Sequence, residues 1–229
     1  MNHLTRMYRG YVCVAGVNIQ TMAHVRPARG GARLSTEVLK RYGGPFDMAS
    51  LVDLSACEHT PSRPEVEDYL IDVSRLRFIR TFENQEFWRM LTRIARPRLS
   101  QIFGNDLTRR GPQSCGVDVG AGEASLGCLL PSGRPHLYLR EDEGKPKIRI
   151  EITDEEFDLD LAVTDIRLYG DDHVAPNPVE IERVANRLSS GVGVVLSVGL
   201  TRPYPPSSPL HWLQVNNIHL EDDPAWQLG

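Results

Sequence analysis

Residues 145–165, KPKIRIEITDEEFDLDLAVTD, carry the pattern that decides the fold class. Ile148, Ile150 and Ile152 alternate with charged residues, and a polar turn follows at 153–156. The alternation then resumes with a second apolar set, Phe157, Leu159, Leu161 and Val163. A period of two is that of a β-strand with one buried face. The stretch therefore predicts a β-hairpin with one face in water.

The chain downstream of this hairpin predicts one helix and two further strands. Asn177 is a suitable N-cap residue, Pro178 suits the first helical turn, and an apolar stripe follows at Ile181, Val184, Ala185 and Leu188. The run 192–200, VGVVLSVGL, is apolar on both faces and predicts a central strand. WLQVNNIHL, at 212–220, predicts the last strand.

The chain upstream predicts a β unit followed by a helix. Short β-like segments separated by turn residues occur at YVCVAGV (11–17), IQTMAHVRP (19–27), SLVDLSAC (50–57) and DYLID (68–72). Such short strands favour a small barrel or a sandwich. In NQEFWRMLTRIA, at 84–95, the apolar residues recur at helical spacing, with Asn84 as the predicted N-cap. GNDLTRRGPQS, at 104–114, has no period and predicts a linker.

The order of these segments defines the predicted architecture. It lacks the α/β alternation that a doubly wound sheet requires. We therefore predict a mostly β fold with minor α content. The first β unit is placed at 1–80, a helical linking segment with a loop at 81–112, and a second β unit with one helix at 113–229.

Composition excludes some classes of protein. The chain has 229 residues, 41% of them apolar and 24% charged, which is typical of a globular protein. No apolar run approaches the roughly 18 residues that a membrane span needs. The apolar stretch near the start is short and interrupted by Asn18 and Gln20, so we expect no secretory leader and a cytoplasmic protein. A net charge of −4 excludes a globally basic protein.

Charge is distributed unevenly along the chain. Segment 75–110 contains nine arginines and three acidic residues, whereas segment 141–160 contains nine acidic and three basic residues. Segment 75–110, the basic segment, could contact nucleic acid, or the two segments could pair with each other or with a partner. Phe82, Phe87 and Trp88 interleave with the arginines as base-stacking residues would, although Phe87 belongs to the apolar helix face.

The glycine-rich stretch GVDVGAGEASLG, at 116–127, resembles the cofactor loop of a class I methyltransferase. Such a loop must lead into a crossover helix, and too few residues separate Glu123 from Pro131 for one. We therefore predict a glycine-rich turn and no bound cofactor.

The cysteines and histidines show no metal or catalytic motif. Cys13, Cys57, Cys115 and Cys128 lie far apart, and a zinc site from Cys115, Cys128 and His136 would lack paired ligands, so we expect four free thiols without metal. No histidine lies in a hydrolase motif, so we predict no catalytic triad. An enzymatic alternative would need Asp72, Asp165 and a histidine in one cleft. Asp158 and Asp160 are assigned to the wet face of the hairpin.

Several blocks, in their order and spacing, carry a family resemblance. They are YVCVAGV with AHVRP, GGPFDMASLVDL, DYLID, KPKIRIEI, LDLAVTDIRLY, VVLSVGLTRPY and HWLQVNNIHL. Together they resemble the prokaryotic dual OB-containing domain family over nearly the whole chain. The resemblance implies two OB-like small β-barrels joined by a helical segment, and accessory proteins of bacterial defence or mobile-element systems that bind nucleic acid.

This resemblance implies a non-enzymatic module whose partner is single-stranded nucleic acid or a nucleic-acid-processing protein complex. The alternative is a protein–protein interaction subunit that does not touch nucleic acid. OB surfaces bind single strands through a basic groove and aromatic platforms. The candidate contact residues are Arg26, Arg29, Arg89, Arg93, Arg96, Arg202, Tyr204, His211 and Trp212. For Trp212 a place in the core is favoured over a role as a stacking platform.

Overall fold

The computed structural model describes residues 1–30, 32–142 and 144–226, and the fold is mostly β. The strands are β1 (His3–Arg6), β2 (Tyr11–Val17), β3 (His24–Ala28), β4 (Leu34–Ser35), β5 (Ser50–Asp53), β6 (Glu58–His59), β7 (Asp68–Leu70), β8 (Arg77–Thr81), β9 (Thr108–Gly111), β10 (Ser114–Asp118), β11 (Leu126–Leu129), β12 (His136–Asp142), β13 (Lys145–Thr153), β14 (Asp158–Ala162), β15 (Val194–Leu200) and β16 (Leu210–Leu220). The helices are α1 (Asn84–Ile94), α2 (Ser100–Phe103) and α3 (Pro178–Ser189).

The predicted hairpin is confirmed as β13 and β14. The two strands pair antiparallel with Ile150 opposite Leu161, and β12 lies on the other side of β13. Asp154 closes the turn because its Oδ1 accepts the backbone N–H groups of Glu156 and Phe157, at 2.8 and 2.7 Å. The apolar face of this three-stranded sheet lies in the first hydrophobic core.

One residue of the wet face departs from the prediction. Asp158 is exposed, but Asp160 retains only 6% of its accessible surface. Arg140 and Arg149 each donate to a carboxylate oxygen of Asp160 at 3.0 Å. Two long side chains therefore cover the carboxylate on the polar face of the sheet.

The five-stranded sheet has the order β11-β15-β16-β10-β9, so the strand predicted as central is central. Successive residues of β15 point to opposite faces, and both faces are covered. Leu196 lies in the first core, between this sheet, the three-stranded sheet and α3. Val195 lies in the second core, with residues of β1, β2 and α1. The sheet thus contributes side chains to both cores.

Both predicted long helices are confirmed. The Asn177 side chain accepts the backbone N–H groups of Val179 and Glu180, so α3 begins where the N-cap and Pro178 indicate. For α1 the N-cap is Glu83, and Asn84 is the first helical residue rather than the cap.

The N-terminal sheet has the order β1-β2-β3-β7-β6, with β4 added beside β2. Its first strand docks on β16 through an asparagine. Asn217 accepts the backbone N–H of Leu4 at 2.7 Å and donates to the Leu4 carbonyl at 3.2 Å. A buried side-chain amide therefore supplies the hydrogen bonds that a neighbouring strand would otherwise supply.

The linker predicted at 104–114 is wrong in its second half. Thr108–Gly111 forms strand β9, which pairs with β10 at the edge of the five-stranded sheet. Three of its four residues are exposed, so the strand has no buried face to produce an apolar period.

Strand pairing among the described residues gives open sheets and no closed barrel. A single bridge, between Val163 and Val215, joins the end of the three-stranded sheet to β16. The hydrogen bond from Asp160 N to the Gln113 carbonyl, at 3.0 Å, adds another contact between the sheets.

The glycine-rich stretch forms a turn between β10 and β11, and no helix follows it there, as predicted. Gly122 has a φ of +94° and donates its N–H to Asp106 at 2.8 Å. Gly127 lies against α2, where a Cβ atom would come within 2.1 Å of Ile102. These glycines therefore serve a tight turn and close packing.

In the part of the chain that the structure describes, every helix is too short or too polar to cross a membrane.

Candidate nucleic-acid interface

Helix α1 has one buried face and one basic face. Phe87 and Leu91 are fully buried in the second core. Arg89 and Arg93 lie on the opposite side of the helix and are exposed, and Arg96, just after its end, is exposed as well. We call Arg89, Arg93 and Arg96 the α1 arginines.

Most other arginines of the basic segment have carboxylate partners. The ion pairs are Arg75–Asp72, Arg77–Asp53, Arg80–Glu86, Arg98–Glu155 and Arg110–Asp118. Only Arg98–Glu155, at 3.6 Å, joins the basic segment to the acidic segment among the described ion pairs. Pairing of the two segments with each other was one explanation of the uneven charge along the chain. Among the described ion pairs, such pairing is limited to Arg98–Glu155.

The α1 arginines have no carboxylate partner among the described ion pairs. Arg89 Nε donates to the Gln85 carbonyl at 3.2 Å, and Arg96 Nη1 donates to the Ala95 carbonyl at 3.3 Å. Glu86 interacts electrostatically with Arg89, but its carboxylate accepts its two hydrogen bonds from Arg80, at 2.6 and 2.8 Å. Those bonds hold the pKa of Glu86 below its usual range.

Two adjoining grooves run past these arginines. One, of about 660 Å³, is lined by Arg89 and Arg93 together with Ile19 and Met22. The other, of about 450 Å³, is lined by Arg93 and Arg96. Because Arg93 and Met22 line both, the two grooves are neighbours. Glu83 and Glu86 also line the larger groove, and Glu86 is bound to Arg80. A phosphate backbone lying in the two grooves would therefore meet the three α1 arginines beside these two carboxylates.

The candidates Arg26, Arg29 and Arg202 meet in a separate cleft of about 390 Å³. Two further arginines that the sequence analysis did not single out, Arg6 and Arg33, also line it. Leu126 lines both this cleft and the groove beside Arg96. The cleft and the grooves therefore adjoin at the first residue of β11.

Two of these cleft arginines are engaged inside the protein. Arg26 is 6% exposed and forms an ion pair with Asp68. Arg202 binds Glu65 at 2.7 Å and Asp68 at 3.3 Å, which connects the β15–β16 loop to the N-terminal sheet. Arg29 is exposed and has no side-chain partner among the described contacts. Burial thus leaves Arg29, Arg33 and the outer part of Arg202 as the accessible cations of this cleft.

Tyr204, His211 and Trp212 lie close together but in different environments. Tyr204 is 66% exposed. Trp212 is half-buried, outside both cores, and donates its Nε1–H to the Tyr204 carbonyl at 2.7 Å. His211 is 2% exposed, with Nδ1 2.9 Å from the Thr201 carbonyl and 3.7 Å from Glu65. Tyr204 is therefore the candidate aromatic with a free ring.

With this geometry in place, the chain can be compared with known proteins. A model of the family described as the dual OB-containing domain matches residues 5–218, nearly the whole chain. The chain belongs to the dual OB-containing domain family. Comparison with curated proteins and with solved structures gives no significant match.

The aromatic residues of the basic segment are packed in this dual OB-containing domain protein. Phe87 is fully buried, and Phe82 and Trp88 are half-buried against the second core. Phe78 on β8, which the sequence analysis did not consider, is 43% exposed and lies under the Lys40 ammonium. In the sequence, Phe78 lies in the run RFIRT at 77–81. The periodicity of this run does not show that the strand has no buried face.

The residues of the enzymatic alternative are occupied with structural roles. Asp72 accepts the backbone N–H of Ser74 at 3.0 Å in an exposed turn. Asp165 is fully buried and binds Arg167. The zinc group considered from sequence is not assembled among the described residues, since the one compact group is His3, His24 and Cys128. All four cysteines of this dual OB-containing domain protein are free.

Proposed function

We propose that the protein is a non-enzymatic accessory module that binds single-stranded nucleic acid, with two OB units joined by the α1 region. The observation that carries the proposal is the set of α1 arginines, which have no carboxylate partner and line two adjoining grooves. Family membership supports it, because OB folds bind oligonucleotides through basic grooves and stacking residues.

In this proposal the residues have different roles. The α1 arginines bind phosphates, which gives affinity without sequence preference. Arg29 and the exposed part of Arg202 extend the contact into the cleft, and Tyr204 offers a ring for base stacking. Arg26 and His211 are buried and contact Asp68 and Glu65, respectively. In this proposal they do not touch nucleic acid and only hold these two carboxylates in place.

The test is fluorescence anisotropy with single- and double-stranded DNA and RNA at about 50 mM salt, where phosphate contacts are strongest. We expect binding to single strands and a loss of most affinity in the triple variant Arg89→Ala, Arg93→Ala, Arg96→Ala. The matched control removes three exposed arginines that have carboxylate partners away from α1, Arg75, Arg77 and Arg110. This control variant should retain most of the wild-type affinity. If the wild-type protein binds none of the four polymers, the proposal is wrong.

A protein-interaction subunit is the second candidate, and strand β8 favours it. All five residues of β8 are exposed, including Phe78 and Ile79, which retain 43% and 53% of their surface. Exposed apolar side chains on a two-stranded ribbon are typical of a surface that a partner covers. A pull-down from host lysate with and without nuclease separates the candidates, because a partner bound through β8 survives nuclease and is lost in Phe78→Ser.

A further inference from the structure

Three potential metal ligands from three strands meet between the two halves of the molecule. His3 lies on β1, His24 begins β3, and Cys128 lies on β11. One ligand atom from each lies within 4.8 Å of the others, and His24 Nε2 is 3.9 Å from Cys128 Sγ. No other group of three histidine, cysteine or acidic side chains among the described residues is as compact.

Buried atoms beside this cluster lack hydrogen-bond partners. His3 Nδ1 is 3.1 Å from Asn216 Nδ2, but His3 Nε2 has no partner although the residue has no exposed surface. Asn2 Oδ1 is buried and unpartnered as well. A buried polar atom without a partner is costly, and an ion that binds there removes the cost.

The side chains suit a cation that binds nitrogen and sulfur. Two imidazole nitrogens and one thiol sulfur are the ligand types that Zn²⁺ prefers. Asn2 Nδ2 donates to Cys128 Sγ at 3.3 Å, a contact that stabilises a metal-bound thiolate.

A path from solvent reaches the cluster. The groove of about 450 Å³ that Arg93 and Arg96 line is also lined by His24 and Cys128. His24 is half-buried, so a ligand position directed toward the groove stays open to solvent or to an exogenous ligand. Three protein ligands and an open fourth position form a recognised zinc arrangement.

We propose that His3, His24 and Cys128 bind one Zn²⁺ ion, with the fourth coordination position open to this groove. Zinc lies about 2.0–2.1 Å from nitrogen and 2.3 Å from sulfur, which sets ligand atoms of a tetrahedral site on the order of 3.5 Å apart. The 3.9 Å separation of His24 Nε2 and Cys128 Sγ is close to that value. On binding, the S–H bond of Cys128 breaks, an S–Zn bond forms and one proton goes to solvent.

This proposal replaces, for Cys128, the expectation of four thiols without metal. That expectation rested on ligand spacing in the sequence, and here His24 and Cys128 are 104 residues apart. The site does not depend on the nucleic-acid proposal.

The test uses the full chain, stripped with a chelator and then titrated with Zn²⁺ against a chromophoric competitor. Cys128→Ala and His24→Gln each remove one ligand. Cys115→Ala is the matched control because Cys115 is a buried thiol in the other core. Circular dichroism reports whether each variant folds, and Co²⁺ serves as a spectroscopic substitute.

We expect one Zn²⁺ per chain in the wild type and in Cys115→Ala. Loss of an outer partner of a metal site costs about 10–100-fold in affinity, so loss of a ligand should cost at least about 100-fold. The thiolate-to-cobalt charge-transfer band should disappear in Cys128→Ala. Absence of Zn²⁺ binding by the wild type overturns the proposal, as does unchanged binding by both ligand variants. Should Cys128→Ala fail to fold, His24→Gln, at a half-buried position, decides alone.

Discussion

Asp165 and Arg167 form a buried ion pair that ties the segment after β14 to β16. Asp165 is fully buried, and its carboxylate accepts from Arg167 Nη2 at 2.8 Å and from Ile218 N at 3.0 Å. Arg167 donates to the Ile218 and Trp226 carbonyls and lies 3.9 Å from the centre of the Trp226 ring. The charges are therefore paired and hydrogen-bonded on every side, as buried charges must be.

Asp165→Asn should lower the free energy of unfolding by about 3–5 kcal/mol, because it leaves the Arg167 charge buried without a counter-ion. Urea denaturation at pH 7 measures this loss. The control is Asp72→Asn, which changes an exposed turn-capping carboxylate and should cost no more than about 1 kcal/mol. Equal costs for the two variants would contradict the account of Asp165.

His219 makes stability depend on pH. It is fully buried, with Nδ1 3.0 Å from the Pro224 carbonyl and Nε2 2.9 Å from Ser197 Oγ. Burial lowers its pKa from 6.5 to about 4. Between these values the unfolded chain binds a proton that the native protein does not, so stability is lost as pH falls from about 6.5 toward 4.

From pH 7 to pH 5 the loss attributable to His219 should be about 2 kcal/mol. His219→Gln should remove that share, so its urea midpoint should change less between the two pH values than that of the wild type. His59→Gln, at an exposed position, should keep the wild-type pH dependence. A His219→Gln profile parallel to the wild type would be inconsistent with a neutral buried imidazole.

At this scale, single positions were predictable where the signal is local. The N-cap role predicted for Asn177 is observed, because its Oδ1 accepts the backbone N–H groups of Val179 and Glu180. Contacts across the fold were not predictable. No pattern brings His3 and His24 to Cys128, and the Asp68 partner of Arg26 is 42 residues away along the chain.

At the scale of elements, α1 shows how one helix serves packing and recognition together. Phe87 packs edge-on against the buried His219 ring, with centroids 5.5 Å apart, while Arg89 projects to solvent from the other face. The helix is thus fixed by its apolar face, and its basic face is free to bind.

Phe87→Ala should lower the free energy of unfolding by about 3–5 kcal/mol, since it empties a fully buried aromatic site. Arg89→Ala, two residues away on the exposed face, should stay within about 0.5 kcal/mol of the wild type. Thermal and urea unfolding of the two variants measure the contrast. A large cost for Arg89→Ala would mean that its guanidinium holds the fold together.

Elements with a buried face were predictable from period, and those without one were not. The hairpin of β13 and β14, the central strand β15 and helix α3 each have a clear apolar pattern. Strand β9 is polar and at a sheet edge, so its sequence reads as a linker. Strand β1 has four residues, too few for a period to emerge, and it was not predicted.

At the scale of the whole molecule, the five-stranded sheet contributes side chains to both hydrophobic cores. Cys128 and Val195 lie in the second core, whereas their neighbours Leu129 and Leu196 lie in the first. The order of β unit, helix and β unit was predictable from the chain. The packing of β11 and β15 against both cores was not predictable. A run that is apolar on both faces does not show which element covers each face.

Charge at this scale separates structural arginines from arginines available for binding. Most arginines of the basic segment form ion pairs with nearby carboxylates, and the α1 arginines form none among the described residues. Composition could not distinguish the two groups, because both are arginines within one stretch of the chain. The central claim is that the α1 arginines bind the phosphates of a single strand.

The most direct measurement of that claim is the salt dependence of single-stranded oligonucleotide binding for the wild type and two triple variants. The log–log slope should be steep, at about −0.7 for each neutralised phosphate, and nearly the same for different sequences. Replacing Arg89, Arg93 and Arg96 by alanine should flatten it by about two to three phosphates' worth, whereas the Arg75, Arg77 and Arg110 control should leave it almost unchanged. Equal slopes for the wild type and the α1 variant, or the larger change in the control, would contradict the account.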